Sequence, residues 1–213
     1  MNAPKSEKDD KEQIDPRKLP NHLIIMDNPD KSDWHEAWEP QRSLLNFPHP
    51  FRISITGPPN SGKSLICKNI LMRAFPQFER VMIVYPGGKE ATKEYDDMQG
   101  GSVEFFDEIP DLKEFPSLKD GAKKTLLILD DLDTKRMSTR QRSAWDRITG
   151  HVSTHRHCSV IACTQQFYNL TPNIRRNMSC YIIFKPRNRR TLTEIGAQIG
   201  EDLPGIFDAC CEG

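Results

Sequence analysis

The sequence predicts a doubly wound α/β fold, in which helices cover both faces of a mainly parallel β-sheet. Short, continuously apolar segments recur along the chain, and the most apolar of them is Thr125–Asp130. Such segments are typical of strands that are buried on both faces. Segments with apolar residues at helical spacing separate them, as in Lys63–Phe75. A chain of 213 residues is long enough to bury a substantial core in one domain.

The first predicted elements are two strands on either side of one helix. A strand over Phe51–Thr56 ends in a Gly-Pro-Pro turn. The helix over Lys63–Phe75 follows, because its apolar residues recur every three or four positions. Val81–Tyr85 is a short apolar strand closed by Pro-Gly-Gly, and residues 86–123 are expected to be irregular and acidic.

The second half of the chain predicts three more strands and two more helices. Ser138 is a suitable N-cap for a helix that runs towards Gly150, because its hydroxyl can accept from an unpaired backbone amide of the first turn. Another helix is predicted over Thr191–Ile199. The predicted strands are Thr125–Asp130, Ser159–Thr164 and Tyr181–Lys185.

Composition divides the chain into three regions. Residues 1–20 carry ten charged and only four apolar side chains, so we expect a disordered tail. Residues 21–47 contain Trp34 and Trp38 between prolines, and we expect an N-terminal flap or extension there. Residues 48–213 hold all the predicted strands and are expected to be the main domain.

Hydropathy and cysteine content indicate where the protein works. No stretch approaches about 18 consecutive apolar residues, so neither a transmembrane helix nor a membrane partner is expected. The N-terminal residues lack the apolar segment of a secretory signal, and the six cysteines include no CxxC pair. We therefore expect an intracellular protein in a reducing compartment.

Charge is unevenly distributed, although the net charge of the chain is zero. Residues 135–190 contain 12 basic side chains and a single acid, Asp146, which gives this basic segment a net charge of +11. The residues before it have a net charge of −6, and those after it −5. A basic segment of this size is a candidate binding surface for a polyanion such as nucleic acid.

The motif that indicates a chemistry is the sequence GPPNSGKS at residues 57–64, which fits the pattern GxxxxGK[ST]. Glycines let the backbone curl so that successive N–H groups point at phosphate oxygens, and the following helix adds the positive end of its dipole. In this pattern Lys63 reaches the β- and γ-phosphates and the Ser64 hydroxyl binds Mg²⁺, so ATP and Mg²⁺ are the expected cofactors. The predicted phosphate-binding residues are Gly57, Pro58, Pro59, Asn60, Ser61, Gly62, Lys63 and Ser64.

Two acids, Asp130 and Asp131, stand at the end of the most apolar strand. Open α/β sheets bind their ligands at the carboxyl ends of parallel strands. We therefore expect Asp130 to hold Mg²⁺ through water. Asp131 is expected to orient or deprotonate the water that attacks ATP.

Three segments of the chain resemble the FtsK–HerA superfamily of DNA-translocating ATPases, which have a RecA/FtsK-like P-loop NTPase core. The segments are GPPNSGKS, LLILDD and THRHCSVIACTQQFYNLTPNIRRNMSCYIIFK, in this order. Within the superfamily, the sequence resembles in particular the genome-packaging ATPases of poxviruses, giant viruses, virophages and related large DNA transposons. The resemblance covers roughly residues 48–204.

The resemblance implies catalytic roles for three residues of the last segment. Gln165 matches the polar residue that senses the γ-phosphate. Arg156 matches an arginine finger that acts on a neighbouring subunit, and we expect it at the rim of the ligand-binding end because it precedes the strand that leads to Gln165. Arg175 lies in a stretch like the IRxN signature of the family and is a second candidate for sensing phosphate. Asp131 departs from the Glu of many superfamily members, although Asp-Asp is familiar among the viral packaging forms.

The resemblance also implies the function. It predicts an ATP-hydrolysing motor that translocates double-stranded DNA and packages a viral genome into a capsid. The expected partners are double-stranded DNA, further copies of the chain in a homo-oligomeric ring with ATP sites between subunits, and capsid or virion proteins. The expected location is the host cytoplasm or a viral factory, with or without association with the virion.

Three alternative functions remain open at this point. A small nucleoside or nucleotide kinase also needs a phosphate-binding loop, although no arginine-rich lid is evident upstream of residue 135. A cellular or transposon DNA pump of the same superfamily is the second alternative, and a non-catalytic nucleotide-binding scaffold in a capsid is the third. Stimulation of phosphate release by DNA, compared with a panel of nucleoside acceptors, distinguishes the motor from the kinase.

Overall fold

The computed structural model describes residues 49–74, 77–85, 95, 102–116, 123–186 and 188–211. The predicted tail over residues 1–20 and the predicted flap over residues 21–47 lie outside these residues. In the part of the chain that the structure describes, no helix is long and apolar enough to cross a membrane.

The strands of the described residues form one sheet, in which every neighbouring pair is parallel. In chain order they are β1 (Arg52–Thr56), β2 (Arg80–Val84), β3 (Ser102–Phe106), β4 (Thr125–Leu129), β5 (Cys158–Thr164) and β6 (Cys180–Ile183). Across the sheet the order is β3-β2-β4-β5-β1-β6. The predicted parallel sheet is therefore confirmed.

Six helices connect or follow these strands within the described ranges. They are α1 (Lys63–Arg73), α2 (Thr139–Arg147), α3 (Ser153–His155), α4 (Pro172–Asn177), α5 (Arg189–Ile199) and α6 (Leu203–Cys211). Ser138 caps α2 as predicted, because its Oγ accepts a hydrogen bond from the Gln141 amide at 3.2 Å. A π-helical turn over Ile148–Val152 joins α2 to α3.

The core lies on both faces of the sheet, because successive side chains of a strand point to opposite sides. In β4, Leu127 and Leu129 belong to a cluster that includes Trp145 of α2. Leu126 and Ile128 belong to a cluster on the opposite face, which includes residues of α1. Every residue of β4 is buried, and this two-sided burial explains why the strand is continuously apolar.

The prediction that residues 86–123 are irregular is wrong for β3. This strand lies at the edge of the sheet beside β2, and its side chains from Val103 to Phe106 are only partly buried. It therefore lacks the continuous apolar run of the central strands. Its acid, Glu104, accepts hydrogen bonds from Arg80 Nε and Nη2 at 2.7 Å, which ties the edge strand to β2.

Three helices, α3, α4 and α6, are also missing from the prediction. The three residues of α3 and the six of α4 are too few to show a helical period. The α6 sequence contains Pro204 and Gly205 in its first turn, and both residues are ordinarily signals of a turn. In the structure, the Asp202 carboxylate accepts a hydrogen bond from the Gly205 amide at 3.2 Å, which caps the start of α6.

The strand order decides which loops meet. β5 lies between β1 and β4, with Thr164 opposite Thr56 and Ala162 opposite Leu129. Because all the strands are parallel, their carboxyl ends lie at the same edge of the sheet. Gln165, which follows β5, is therefore placed between the loop after β1 and the acids after β4.

His49 is a buried histidine at the opposite, amino-terminal edge. It is 3% exposed, and its Nδ1 lies 2.7 Å from Ser159 Oγ. Its ring stacks on the His157 ring at 5.4 Å. Burial, with smaller contributions from the charges of Lys124 and His157, lowers the pKa of His49 from 6.5 to about 3. The folded protein thus keeps this imidazole neutral at a pH where an exposed histidine is charged.

We expect His49 to make the stability of the protein depend on pH. Below pH 6.5 the unfolded chain binds a proton that the folded chain does not, so stability falls as pH falls, by about 2 kcal/mol between pH 7 and pH 5. Urea unfolding at the two pH values measures this difference. His49→Gln should reduce the pH dependence by that amount. An unchanged pH dependence in His49→Gln contradicts the assignment.

Candidate functional site

The loop between β1 and α1 has the curled backbone that a phosphate cradle needs. Asn60 and Gly62 have left-handed conformations, with φ of 59° and 95°. A Cβ on Gly57 would lie 2.7 Å from Ser61 Oγ and 2.8 Å from the Phe184 side chain, so this position accepts only glycine. Glycine is thus required at position 57 by the close approach of Ser61 and Phe184, and it is favoured at position 62 by the left-handed backbone.

Two polar groups of the loop fit the phosphates of a nucleotide. Lys63 Nζ donates to the carbonyls of Gly57 and Pro58, at 3.0 and 2.9 Å, which holds its charge over the loop. Ser61 Oγ is buried and has no hydrogen-bond partner among the described residues. Because a buried hydroxyl without a partner is costly, a phosphate oxygen is a suitable acceptor for it. The first turn of α1 adds the positive end of its dipole.

Ser64 and Asp130 meet at the start of α1, although they are 66 positions apart in the chain. Ser64 Oγ donates to Asp130 Oδ2 at 3.2 Å. A hydroxyl and a carboxylate are the hard oxygen ligands that Mg²⁺ prefers, so the pair fits the predicted magnesium site. A Mg²⁺ ion bound with ATP would neutralise charge that develops on the phosphate oxygens.

The Asp130 carboxylate is held by three donors, and it is 5% exposed. Besides Ser64, the Tyr95 hydroxyl donates to Oδ2 at 2.6 Å, and the Asp131 amide donates to Oδ1 at 2.9 Å. Hydrogen bonds of this kind are what a buried carboxylate requires. Hydrogen bonds to both carboxylate oxygens therefore fix the orientation of the Asp130 side chain.

Tyr95 is a site residue that the sequence analysis missed. It is 2% exposed, and its pKa is raised by burial and by the neighbouring Cys67 thiol and Asp130 carboxylate. It lies in residues 86–123, which showed no periodic pattern. Tyr95 is the only aromatic residue of the mainly polar stretch over residues 89–100, and such a residue does not identify its partner.

Asp131 and Gln165 form the second pair of the site. Gln165 Nε2 donates to Asp131 Oδ1 at 2.8 Å, and both side chains are exposed. Asp131 has a left-handed backbone with φ of 50°, a conformation that is uncommon outside glycine and often found at functional sites. The structure thus brings together the two residues that the sequence assigned to water and to the γ-phosphate.

Arg156 does not lie where the sequence analysis expected it. It precedes β5, and it is therefore at the amino-terminal edge of the sheet, opposite the edge that carries Gln165. The expectation that it lies at the ligand-binding rim is wrong, because β5 is seven residues long and separates the two positions. The Arg156 guanidinium donates to the carbonyls of Leu112, at 2.9 Å, and Phe115. Arg156 therefore holds the turn over residues 112–115 of its own chain.

Arg175 is packed against its own chain on α4. Its guanidinium donates to the Leu170 carbonyl at 2.7 Å. It also lies over the rings of Phe167 and Tyr168, at 5.3 and 5.0 Å from their centroids. The residues that Arg175 contacts follow Gln165 closely in the chain, so these contacts stabilise the segment after β5.

An open cleft of about 250 Å³ adjoins the Asp131–Gln165 pair. The last residues of β2 and β4 line it together with residues that follow β3, β4 and β5, which include the acids Asp107, Glu108 and Asp133. The cleft is large enough for water to approach Asp131. The acidic side chains that line the cleft repel phosphate, whereas the loop between β1 and α1 carries the positive charge of Lys63.

Comparisons with known proteins place this architecture among nucleotide-binding folds. No protein-family model matches the chain, and no curated protein matches it. A solved structure of B204, the DNA-packaging ATPase from Sulfolobus turreted icosahedral virus, is 20% identical, with a TM-score of 0.53. The match covers 74% of this chain and 86% of that one.

B204 from Sulfolobus turreted icosahedral virus 2, a genome-packaging NTPase, matches in two complexes. With ATPγS it is 21% identical, with a TM-score of 0.51 and coverage of 70% of this chain and 81% of that one. With AMPPCP it is 19% identical, with a TM-score of 0.52 and coverage of 73% and 85%. At these identities the likeness shows the fold, so the predicted P-loop NTPase fold is confirmed.

Proposed function

We propose that this chain is an ATP-hydrolysing motor that translocates double-stranded DNA and packages a viral genome into a capsid. The observation that carries the proposal is the convergence of Lys63, the Ser64–Asp130 pair and the Asp131–Gln165 pair at one edge of the sheet. The fold is shared with a viral DNA-packaging ATPase. The order of the motifs resembles that of the FtsK–HerA superfamily. These two points favour packaging over the kinase and scaffold alternatives.

The proposed reaction is the attack of water on the γ-phosphorus of ATP. The new P–O bond forms as the bond to the bridging oxygen breaks, and ADP leaves with that electron pair. The Asp131 carboxylate accepts the hydrogen bond, and then the proton, of the attacking water. Gln165 donates its side-chain N–H to Asp131. The side-chain oxygen of Gln165 therefore stays available to accept a hydrogen bond from the attacking water. Lys63 neutralises the phosphates.

The proposed ring supplies a further positive charge from a neighbouring subunit. Arg156 lies at the edge of the sheet opposite its own phosphate-binding loop, so it serves as a finger only in trans. Mixing inactive Arg156→Ala with inactive Lys63→Ala should restore part of the ATPase activity, because some sites then combine a complete loop with a complete finger. Arg73→Ala, at an exposed arginine that ends α1 outside the basic segment, serves as the active control.

The mixing experiment requires that both variants assemble, which analytical ultracentrifugation checks. Restored activity should depend on total protein concentration, since it requires mixed rings. If the assembled mixture stays inactive, Arg156 only holds residues 112–115 in its own subunit, and Arg175 becomes the candidate that senses phosphate.

The basic segment over residues 135–190 is the proposed DNA-binding surface. Within this segment, the side chains of Arg189 and Arg190 are 69% and 83% exposed. They form exposed ion pairs with Asp208 and Glu194, and such pairs contribute little to stability. Phosphates of the DNA backbone can therefore replace these acids as partners, without reading the base sequence.

DNA affinity should fall steeply as salt rises and should vary little with DNA sequence. The double variant Arg189→Ala/Arg190→Ala should lower the slope of log affinity against log salt by about 1 to 2, since each lost phosphate contact contributes about 0.9. Fluorescence anisotropy with a labelled duplex measures the slope. Lys113→Ala, at an exposed residue outside the basic segment, should leave it unchanged. An unaltered slope in the double variant shows that these arginines do not meet DNA.

The experiment that tests the proposed function is ATPase activity of the purified protein with and without duplex DNA, together with its oligomeric mass. Stimulation by DNA and a ring-sized mass support the motor, which we place in the host cytoplasm or a viral factory with capsid proteins as partners. Phosphate transfer to a nucleoside in the same assay supports a kinase instead. The absence of any hydrolysis supports a scaffold.

A further inference from the structure

Asp130 Oδ2 accepts hydrogen bonds from two hydroxyls of different elements. Ser64, at the start of α1, donates at 3.2 Å, and Tyr95 donates at 2.6 Å. The shorter contact is in the range of a hydrogen bond to an ionised carboxylate, which is about twice as strong as a neutral one. Tyr95 is therefore the closer of the two partners of Asp130 Oδ2.

The Tyr95 ring is anchored independently of this contact. It belongs to the same buried cluster as Ile83 of β2 and Ile128 of β4, and it is 2% exposed. A hydroxyl on an anchored ring has little freedom to move when a nucleotide arrives. Ser64 differs, because its oxygen is also a predicted ligand of Mg²⁺.

We infer that Tyr95 is a positioning residue, which holds the Asp130 carboxylate in the orientation that binds the Mg²⁺ of a Mg²⁺–nucleotide complex. The inference rests on the proposed function. Tyr95 fixes Oδ2 and the Asp131 amide fixes Oδ1, so the carboxylate cannot rotate. Loss of a partner that orients a metal ligand typically costs 10- to 100-fold in metal affinity.

The test is the affinity for a non-hydrolysable ATP analogue, measured calorimetrically with Mg²⁺ and with EDTA. In Tyr95→Phe, the gain in affinity that Mg²⁺ confers should fall about tenfold, while the affinity in EDTA stays within about twofold of wild type. Tyr181→Phe is the matched control, because this tyrosine donates to the Arg175 carbonyl instead of to the site. It should keep the full gain from Mg²⁺.

A double-mutant cycle with Asp130→Asn separates positioning from general damage. If Tyr95 acts through Asp130, Tyr95→Phe should have no further effect on the gain from Mg²⁺ in the Asp130→Asn background. Equal losses in EDTA and in Mg²⁺, or additive losses in the cycle, overturn the inference. If Tyr95→Phe does not fold, 4-fluorophenylalanine at position 95 gives the same test, because fluorine occupies the place of the hydroxyl without donating.

Measurements on the wild-type protein distinguish a failure of the proposed function from a failure of the inference about Tyr95. If wild-type protein does not bind the analogue, or gains nothing from Mg²⁺, the proposed function fails. If the wild type gains from Mg²⁺ and Tyr95→Phe gains equally, the inference about Tyr95 alone fails.

Discussion

Replacing Lys63 with alanine should abolish ATP hydrolysis and weaken ATP binding. The Lys63 ammonium lies within 3.0 Å of two loop carbonyls, so its charge is held over the proposed phosphate site. No other basic side chain occurs in residues 57–64 to replace that charge. We expect turnover to fall by about 10³-fold or more, because the charge acts most strongly on the transferring phosphoryl group. Phosphate release and binding of a fluorescent ATP analogue measure the two effects.

The matched control is Lys68→Ala, which removes a lysine from the same helix beyond the phosphate-binding motif. It should retain most of the activity. Thermal melting of both variants shows whether α1 stays folded. Near-normal turnover in folded Lys63→Ala removes the assignment of this chain as an ATPase.

Replacing Asp131 with asparagine should leave ATP and Mg²⁺ binding intact and lower turnover by about 10²- to 10⁴-fold. Asparagine tolerates the left-handed backbone at this position better than most residues do, so the local fold should persist. Its side-chain oxygen can still accept from Gln165. The variant therefore removes the charge that accepts the proton of water, while Asp130 continues to serve the metal. Single-turnover hydrolysis and nucleotide binding separate the two properties.

Asp133→Asn provides the control for Asp131→Asn, because it neutralises another acid of the same cleft. It should change turnover little. Asp130→Asn should instead weaken the dependence on Mg²⁺. If Asp131→Asn turns over normally and Asp130→Asn keeps its Mg²⁺ dependence, the two strand-end acids are misassigned.

The elements predicted correctly are those whose physical cause is local. The curled loop over residues 57–64, which we propose to bind phosphate, lies within eight consecutive residues, where close approach and left-handed backbone demand Gly57 and Gly62. Every residue of β4 and β5 is buried, as is every residue of β1 after Arg52, and burial on both faces of the sheet leaves short, mainly apolar runs in the sequence. The roles of Asp130 and Asp131 followed from their place at the end of such a strand.

The prediction failed for β3 and for the position of Arg156, because both depend on how distant parts of the chain are arranged. β3 is an edge strand with a mixed sequence, and it is defined by its pairing with β2. The expected position of Arg156 was wrong because chain order was taken for position along the sheet, whereas a seven-residue strand carries the chain from one edge to the other.

By itself, the sequence determined the fold class and singled out the loop over residues 57–64 and the two strand-end acids as candidates, since each depends on neighbouring residues and on the periodicity of burial. Only the tertiary structure decided that β5 lies between β1 and β4, and hence that Gln165 contacts Asp131. It alone also showed that Tyr95 donates to Asp130 across 35 positions of the chain. The physical reason is that a hydrogen bond of this kind leaves no periodic trace, because its partners are brought together by the packing of a sheet whose strand order differs from their order in the chain.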